Sequence, residues 1–214
     1  MDELLDLIRT LNHAEIRKTL SSDPALANKP IPMSEEEQTA EHPLHRICDG
    51  VFHKIYTDED AVELAKIFVE FGADVNGNKL TEMKDTPLIA ASSLSADQVG
   101  LLYIDRGANI FHPGTHGGTA LHWAAWCGRD LLVDRLIDKG AEINRLCYDF
   151  KSTPLFWAIH GLKNGGVHNQ YHQIECARLL LKAGADKAIP NANGNSIFEM
   201  LEPEDIKSLG DLLN

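Results

Sequence analysis

The sequence predicts an all-α fold, a solenoid of stacked helix pairs joined by β-hairpin-like connections, with inter-helix insertions in two of the pairs. Three observations lead there. A short segment recurs along the 214-residue chain: KDTPLIAAS from Lys84, GGTALHWAA from Gly117 and KSTPLFWAI from Lys151. A glycine ends the amphipathic run that follows each copy. The spacing from threonine to glycine is constant in two units and longer by a similar margin in two others.

The recurring segment opens each unit. Its threonines are Thr86, Thr119 and Thr153; weaker copies are EHPLHRI, with His42 in the threonine slot, and NGNSIFEML, with Ser196 there. A hydroxyl residue before Pro or a small residue starts a helix, because its oxygen caps a free amide and Pro suits the first turn. The runs AVELAKIFVEF, ADQVGLLYIDR, DLLVDRLIDK and IECARLLLKA then carry apolar residues at helical spacing. GADVN, GANIF, GAEIN and GADKA begin at Gly72, Gly107, Gly140 and Gly184, each glycine suited to the left-handed conformation that ends a helix. Turn formers such as NGNKLTEMKD and NANGN lead to the next threonine.

These motifs resemble the ankyrin repeat, whose consensus reads DxxGxTPLHxAAxxGH, then an apolar helix, then GADVN. The unit from Thr115 to Asn144 is the most faithful, and the resemblance covers nearly the whole chain. It implies stacked helix pairs with protruding hairpins, a concave face of hairpins and first helices, and partner binding on that face. It implies no enzyme. Residues 1–214 are expected to form one domain: an N-terminal cap over 1–30, repeats over 31–76, 77–111, 112–144 and 145–188, and a capping repeat over 189–214.

Thr86 to Gly107 and Thr119 to Gly140 each span 21 residues, against 30 for His42 to Gly72 and 31 for Thr153 to Gly184. The insertions fall around Asp49 to Asp60 and Gly161 to Gln173, where they are expected to project opposite the hairpins. Met1 to Leu20 reads as two short helices, followed by DPALAN from Asp23. Lys29 to Glu41, with the acidic run Glu35 to Glu37, reads as an enlarged first hairpin or loop. The C-terminal segment is expected to give a short helix, a break at Pro203 and a final helix.

Composition narrows the function. Apolar residues make up 43% of the chain, enough to bury a core, and 32 acidic against 20 basic residues give a formal charge of −12. That balance opposes nucleic acid and anionic membrane surfaces. No apolar run approaches the roughly 20 residues needed to span a bilayer, and MDELLDLIRT lacks the basic-then-apolar form of a signal peptide. A cytoplasmic protein is expected. The 4 cysteines show no CxxC pair, which fits reduced thiols.

Candidate contact residues follow from register. The position four after the threonine slot holds Arg46, Ala90, Trp123, Trp157 and Met200, and Trp126 lies one turn beyond Trp123. The hairpin tips add Glu82, Met83, Asp85, Thr115, His116, Asp149, Phe150 and Ser152. An aromatic centre with an acidic flank suits a protein interface; the competing reading is that Trp123 and Trp157 pad the packing between first helices. The resemblance gives His45 and His122 a structural role, hydrogen-bonding neighbouring backbone.

His168, His172 and Cys176 are spaced i, i+4 and i+8 and would share a helix face, the basis of an alternative reading as a zinc-binding protein. No GxSxG, GxxxxGK[ST], HExxH or GxGxxG motif is present, and Cys127 near His122 is not a nucleophile dyad. The expectation is therefore a monomeric adaptor or inhibitor without cofactor, its groove favouring a partner protein with a basic surface.

Overall fold

A computed structural model describes residues 3–32, 40–164 and 170–213. Among them the chain divides into two compact units, one of residues 1–81 with 86–109, the other of residues 82–85 with 110–214. Both are helical.

The first unit begins with α1 (Glu3–Arg9) and α2 (His13–Ser22), followed by a 3₁₀ turn at Pro24–Asn28. Two short strands, β1 (Ile31–Pro32) and β2 (Ala40–Glu41), pair antiparallel with Ile31 opposite Glu41. The acidic run at Glu35 to Glu37 lies outside the described residues. Next come α3 (Pro43–Phe52), α4 (Asp58–Glu70), α5 (Pro87–Ser93) and α6 (Asp97–Asp105). Each first helix packs on its own second helix, α3 lies beside α5, and α4 beside α6. The buried side chains are those the helical spacing selects: Leu44, Ile47, Leu64, Phe68, Leu88 and Tyr103. The Tyr103 hydroxyl donates to the Leu44 carbonyl at 2.8 Å, so a buried phenol ties one pair to the next.

The second unit repeats the plan with α7 (Ala120–Cys127), α8 (Asp130–Asp138), α9 (Pro154–Asn164) and α10 (Gln170–Lys182). Here α7 packs on α9 and α8 on α10, around Leu121, Leu132, Leu136, Leu155, Ile159 and Leu180. A 3₁₀ turn at Ile197–Glu199 stands where the fifth first helix is expected, and Pro203 is the first residue of α11 (Pro203–Leu209).

Capping follows the recurring segment. Thr86 Oγ1 accepts from the Ile89 amide at 3.3 Å and Thr153 Oγ1 from Phe156 at 3.2 Å. In the aberrant first copy His42 caps with its ring, Nδ1 accepting from the Leu44 amide at 3.2 Å. The closing glycines all take positive φ, +88° at Gly72, +86° at Gly107, +83° at Gly140 and +93° at Gly184. A Cβ at any of these four would meet nothing within 4 Å, so conformation and not crowding calls for glycine.

The terminal asparagine of the repeat links neighbours. Asn76 Oδ1 accepts from the Asn109 amide at 2.7 Å, and Asn144 Oδ1 from the Asp186 amide at 2.8 Å. Asn28 of DPALAN does the same with the Asp74 amide at 2.7 Å, which places the leading segment in the same register.

The extra residues mostly lengthen helices and do not loop out. In the longer units α3 and α4 have 10 and 13 residues and α9 and α10 have 11 and 13, against 7 and 9 for α5 and α6. Only residues 53–57 connect α3 to α4. The connection of α9 to α10, residues 165–169, lies outside the described residues.

Candidate partner-binding site

The second unit holds a pocket lined by aromatic side chains. Its first helices α7 and α9 lie side by side, and the +4 register from Thr119 and Thr153 brings Trp123 and Trp157 together, ring centroids 5.2 Å apart at 79°. Trp126 meets Trp157 at 6.0 Å and 73°, and Phe150 meets it at 6.2 Å and 60°. The two tryptophan pairs have the edge-to-face geometry that aromatic quadrupoles favour, and the Phe150 ring is tilted. Around them is a cavity of about 370 Å³ lined by His116, Trp123, Trp126, Phe150, Trp157 and His160, with Ser152, Phe156, Asn191 and Asn193 completing the wall.

The hairpin tips are held in place by a main-chain ladder. Met83 N–H donates to the Pro113 carbonyl, Tyr148 N–H to His116 and Ala192 N–H to Phe150, at 3.2, 2.9 and 2.8 Å. Successive tips thus stand side by side. Asp85 accepts from both the amide and the hydroxyl of Thr115, at 2.8 and 3.2 Å, and His116 Nδ1 lies 2.8 Å from Asp149 Oδ2. The exposed Glu82 carboxylate beside the Tyr148 hydroxyl raises the pKa of that phenol.

Burial separates the aromatic residues by role. Trp157 is only 5% exposed and forms the floor; Trp123 and Trp126 are half-buried walls, and Phe150 is 48% exposed at the rim. Among the described residues the Trp123 indole N–H and His160 Nδ1 are buried without a hydrogen-bond partner. His160 stacks on Trp126 at 4.7 Å, and burial lowers its pKa. His122 sits behind the pocket, its ring 5.3 Å from Trp157. Its Nδ1 faces the Thr119 amide and hydroxyl at 3.1 and 2.9 Å, and Nε2 faces the Arg145 and Ser152 carbonyls at 3.2 and 3.3 Å. That set suits a neutral ring, and burial pushes its pKa down to about 4.

The structure brings together His116, Trp123, Trp126, Asp149, Phe150 and Trp157. Glu82, Met83 and Asp85 belong to the same unit at an adjacent tip, Met83 being 42% exposed. Arg46 corrects the expectation of a contact residue. It lies in the other unit and is 5% exposed. Its Nε donates to the Ile31 carbonyl at 2.9 Å and Nη1 pairs with Asp49 at 2.8 Å. The strand pair before α3 supplies that carbonyl, so the guanidinium turns inward.

Four lining residues, Phe156, His160, Asn191 and Asn193, were not among the expected contacts, and the repeat pattern offers a signal for the last three. His160 lies seven residues after Thr153, as Trp126 lies seven after Thr119. Asn193 lies three before Ser196, the offset at which Met83, His116 and Phe150 precede their own threonines. Asn191 follows from the same hairpin, its Oδ1 accepting from the Asn193 amide at 3.0 Å.

Of the zinc candidates, His168 lies outside the described residues. His172 is exposed, with Nδ1 2.9 Å from Asp130 Oδ1, whereas Cys176 is wholly buried. Among the described residues no three His, Cys, Asp or Glu side chains are grouped to hold a metal ion, and no helix is long and apolar enough to cross a membrane.

Known proteins share this architecture. The chain is similar to the mouse palmitoyltransferase ZDHHC13, 35% identical over 144 residues that cover 62% of this chain and 22% of that protein. It is 34% identical to human palmitoyltransferase ZDHHC17 over 93 residues, 44% of this chain and 13% of that one. The chain thus spans less than a quarter of the length of these relatives. The crystal structure of an ankyrin repeat domain from Acinetobacter baumannii AYE superposes with a TM-score of 0.72 at 22% identity, covering 98% of this chain and 95% of the other. A family model described as ankyrin repeats (3 copies) matches residues 52–147 and 107–191, and with the capped helix pairs and linking asparagines described above it establishes that the chain belongs to the ankyrin-repeat family.

Proposed function

We propose that the chain acts as a small adaptor or inhibitor that holds another protein against the concave face of its second unit, with Trp123, Trp126, Phe150 and Trp157 as the contact centre. The observation that carries this reading is the aromatic cavity itself. Interfaces concentrate their binding free energy in a few desolvated aromatic anchors, each worth about 2 kcal/mol or more on truncation. Among the described residues the Trp123 N–H and His160 Nδ1, both from residues that line this cavity, have no hydrogen-bond partner, which suits a surface that meets another protein.

Glu82, Asp85 and Asp149 flank this centre, and with the chain's charge of −12 they favour a basic partner surface. A monomer working in the cytoplasm fits this role. The likeness to the palmitoyltransferases is confined to a minor share of their length, and the chemistry of their name is not carried over to this chain.

Affinity purification of the tagged chain from its native source, followed by direct binding of the recovered protein to wild-type and variant chains, tests the reading. Replacing Trp123 and Phe150 together by alanine is expected to weaken binding at least about 30-fold, the loss that a single anchor of about 2 kcal/mol carries. Unchanged binding would move the contact away from this face.

A further inference from the structure

The same dipeptide, asparagine followed by glycine, stands in two inter-repeat connections with different surroundings. Asn76–Gly77 leads out of the first repeat and Asn193–Gly194 leads into the last. Such a pair can cyclise, because the glycine has no Cβ to hinder approach of its amide nitrogen to the asparagine side chain. The two glycine amides are held alike. Gly77 N–H donates to the Asp74 carbonyl at 2.9 Å and Gly194 N–H to the Asn191 carbonyl at 3.0 Å, and both glycines have positive φ, +74° and +80°. Each must be released by a similar local opening before it reacts.

The asparagine side chains are not held alike. Asn76 is half-buried, and its Oδ1 accepts from the Asn109 amide at 2.7 Å, which fixes the carboxamide toward the next repeat. Asn193 is exposed; its main-chain amide donates to Asn191 Oδ1 at 3.0 Å, and among the described residues its carboxamide makes no hydrogen bond. Asn191 Oδ1 accepts from the amides of Asn193 and Asn195, both at 3.0 Å, and neither Asn191 nor Asn195 precedes a glycine.

We propose that Asn193 is a site of non-enzymatic deamidation, set apart from Asn76 by the freedom of its side chain. A base in solution takes the Gly194 amide proton, and the nitrogen attacks Asn193 Cγ. The N–Cγ bond forms, the Cγ–Nδ2 bond breaks, and the leaving nitrogen takes a proton from water and departs as ammonia. Water then opens the cyclic imide at one of its two carbonyls, giving aspartate or isoaspartate; one water is consumed and one ammonia released. Either product carries a carboxylate on the wall of the aromatic cavity, where no lining residue has one. That change of charge bears on recognition only through the partner-binding reading above; the conversion itself stands without it.

The test ages the whole folded chain at mildly alkaline pH, where the attacking nitrogen loses its proton more readily, and reads tryptic peptides 67–79 and 188–207 by fragment mass spectrometry. Asn193 is expected to convert at least about fivefold faster than Asn76, the factor that one neutral hydrogen bond of ordinary net strength imposes. Asn191 and Asn195, in the same peptide, are expected to stay amides. In denaturant the difference between Asn76 and Asn193 is expected to collapse. Conversion of Asn76 as fast as that of Asn193 in the folded chain would overturn the proposal, and so would a preference that persists undiminished in denaturant. Asn193→Ser is expected to abolish the isoaspartate that a specific methyltransferase labels in peptide 188–207; undiminished labelling there would place the reaction at another residue. None of these readings needs a partner, so the copurification experiment judges the groove separately.

Discussion

Gly161 in α9 lies so close to the main chain of α7 that a Cβ there would stand 2.3 Å from the Trp126 carbonyl oxygen. The same carbonyl accepts from Gln173 Nε2 at 2.8 Å, so the end of α7 is closed by α10 while α9 passes against it. Alanine in a helix is ordinarily favoured over glycine by about 1 kcal/mol. Here the obstacle is backbone and cannot rotate away, and overpacking of this kind costs about 1–3 kcal/mol. Gly161→Ala is therefore expected to destabilise despite its better propensity, read as a lower denaturation midpoint. A raised midpoint would show that α9 can retreat freely.

That contact also marks how far the sequence could be read. Thr86, Thr153 and Ser196 announce helix starts because the capping oxygen is local, and the closing glycines announce helix ends for the same reason. The +4 register brought Trp123 and Trp157 together correctly, since neighbouring copies of one motif superpose. The inward turn of Arg46 was not legible, because its acceptor at Ile31 comes from a strand pair peculiar to the first repeat. Nor was the fate of the insertions: length alone does not distinguish a loop from added helical turns.

Acid is expected to weaken the fold through buried imidazoles. His122 and His42 both have pKa values lowered from 6.5 to about 4, chiefly by burial. A depressed pKa means that the folded state binds fewer protons than the unfolded one between those values. The stabilisation is present above pH 6.5 and is lost as the pH falls toward 4. For fully buried His122 the loss is on the order of 3 kcal/mol. His122→Gln is expected to destabilise at neutral pH and to flatten the decline between pH 6.5 and 4 in a denaturation series. An unchanged slope would place the acid sensitivity elsewhere.

Arg46 is expected to matter for stability and not for recognition. Its guanidinium serves two acceptors in different directions, the Ile31 carbonyl and the Asp49 carboxylate, whose side chain is 15% exposed. Truncating one partner of a buried charge pair costs about 3–5 kcal/mol, because the other is left without compensation. Arg46→Ala should therefore lower the melting temperature sharply, and Arg46→Lys should restore little, since one ammonium cannot reproduce the fork. A melt unchanged in Arg46→Ala would show that Asp49 is solvated as well without it.

The two ends of the aromatic cluster should separate when cut back individually. Trp157 is 5% exposed and touches Trp123, Trp126, Phe150 and His122, so Trp157→Ala removes the floor and is expected to cost about 3–5 kcal/mol of stability. Phe150 at 48% exposure has little packing to lose, and Phe150→Ala should stay within about 0.5 kcal/mol of wild type. Binding loss in Trp157→Ala alone would therefore be uninterpretable, whereas loss in a fully folded Phe150→Ala would report on the contact itself. Thermal melts of both variants alongside partner titration decide the matter. A stable Trp157→Ala that still binds would mean that the floor contributes neither packing nor recognition.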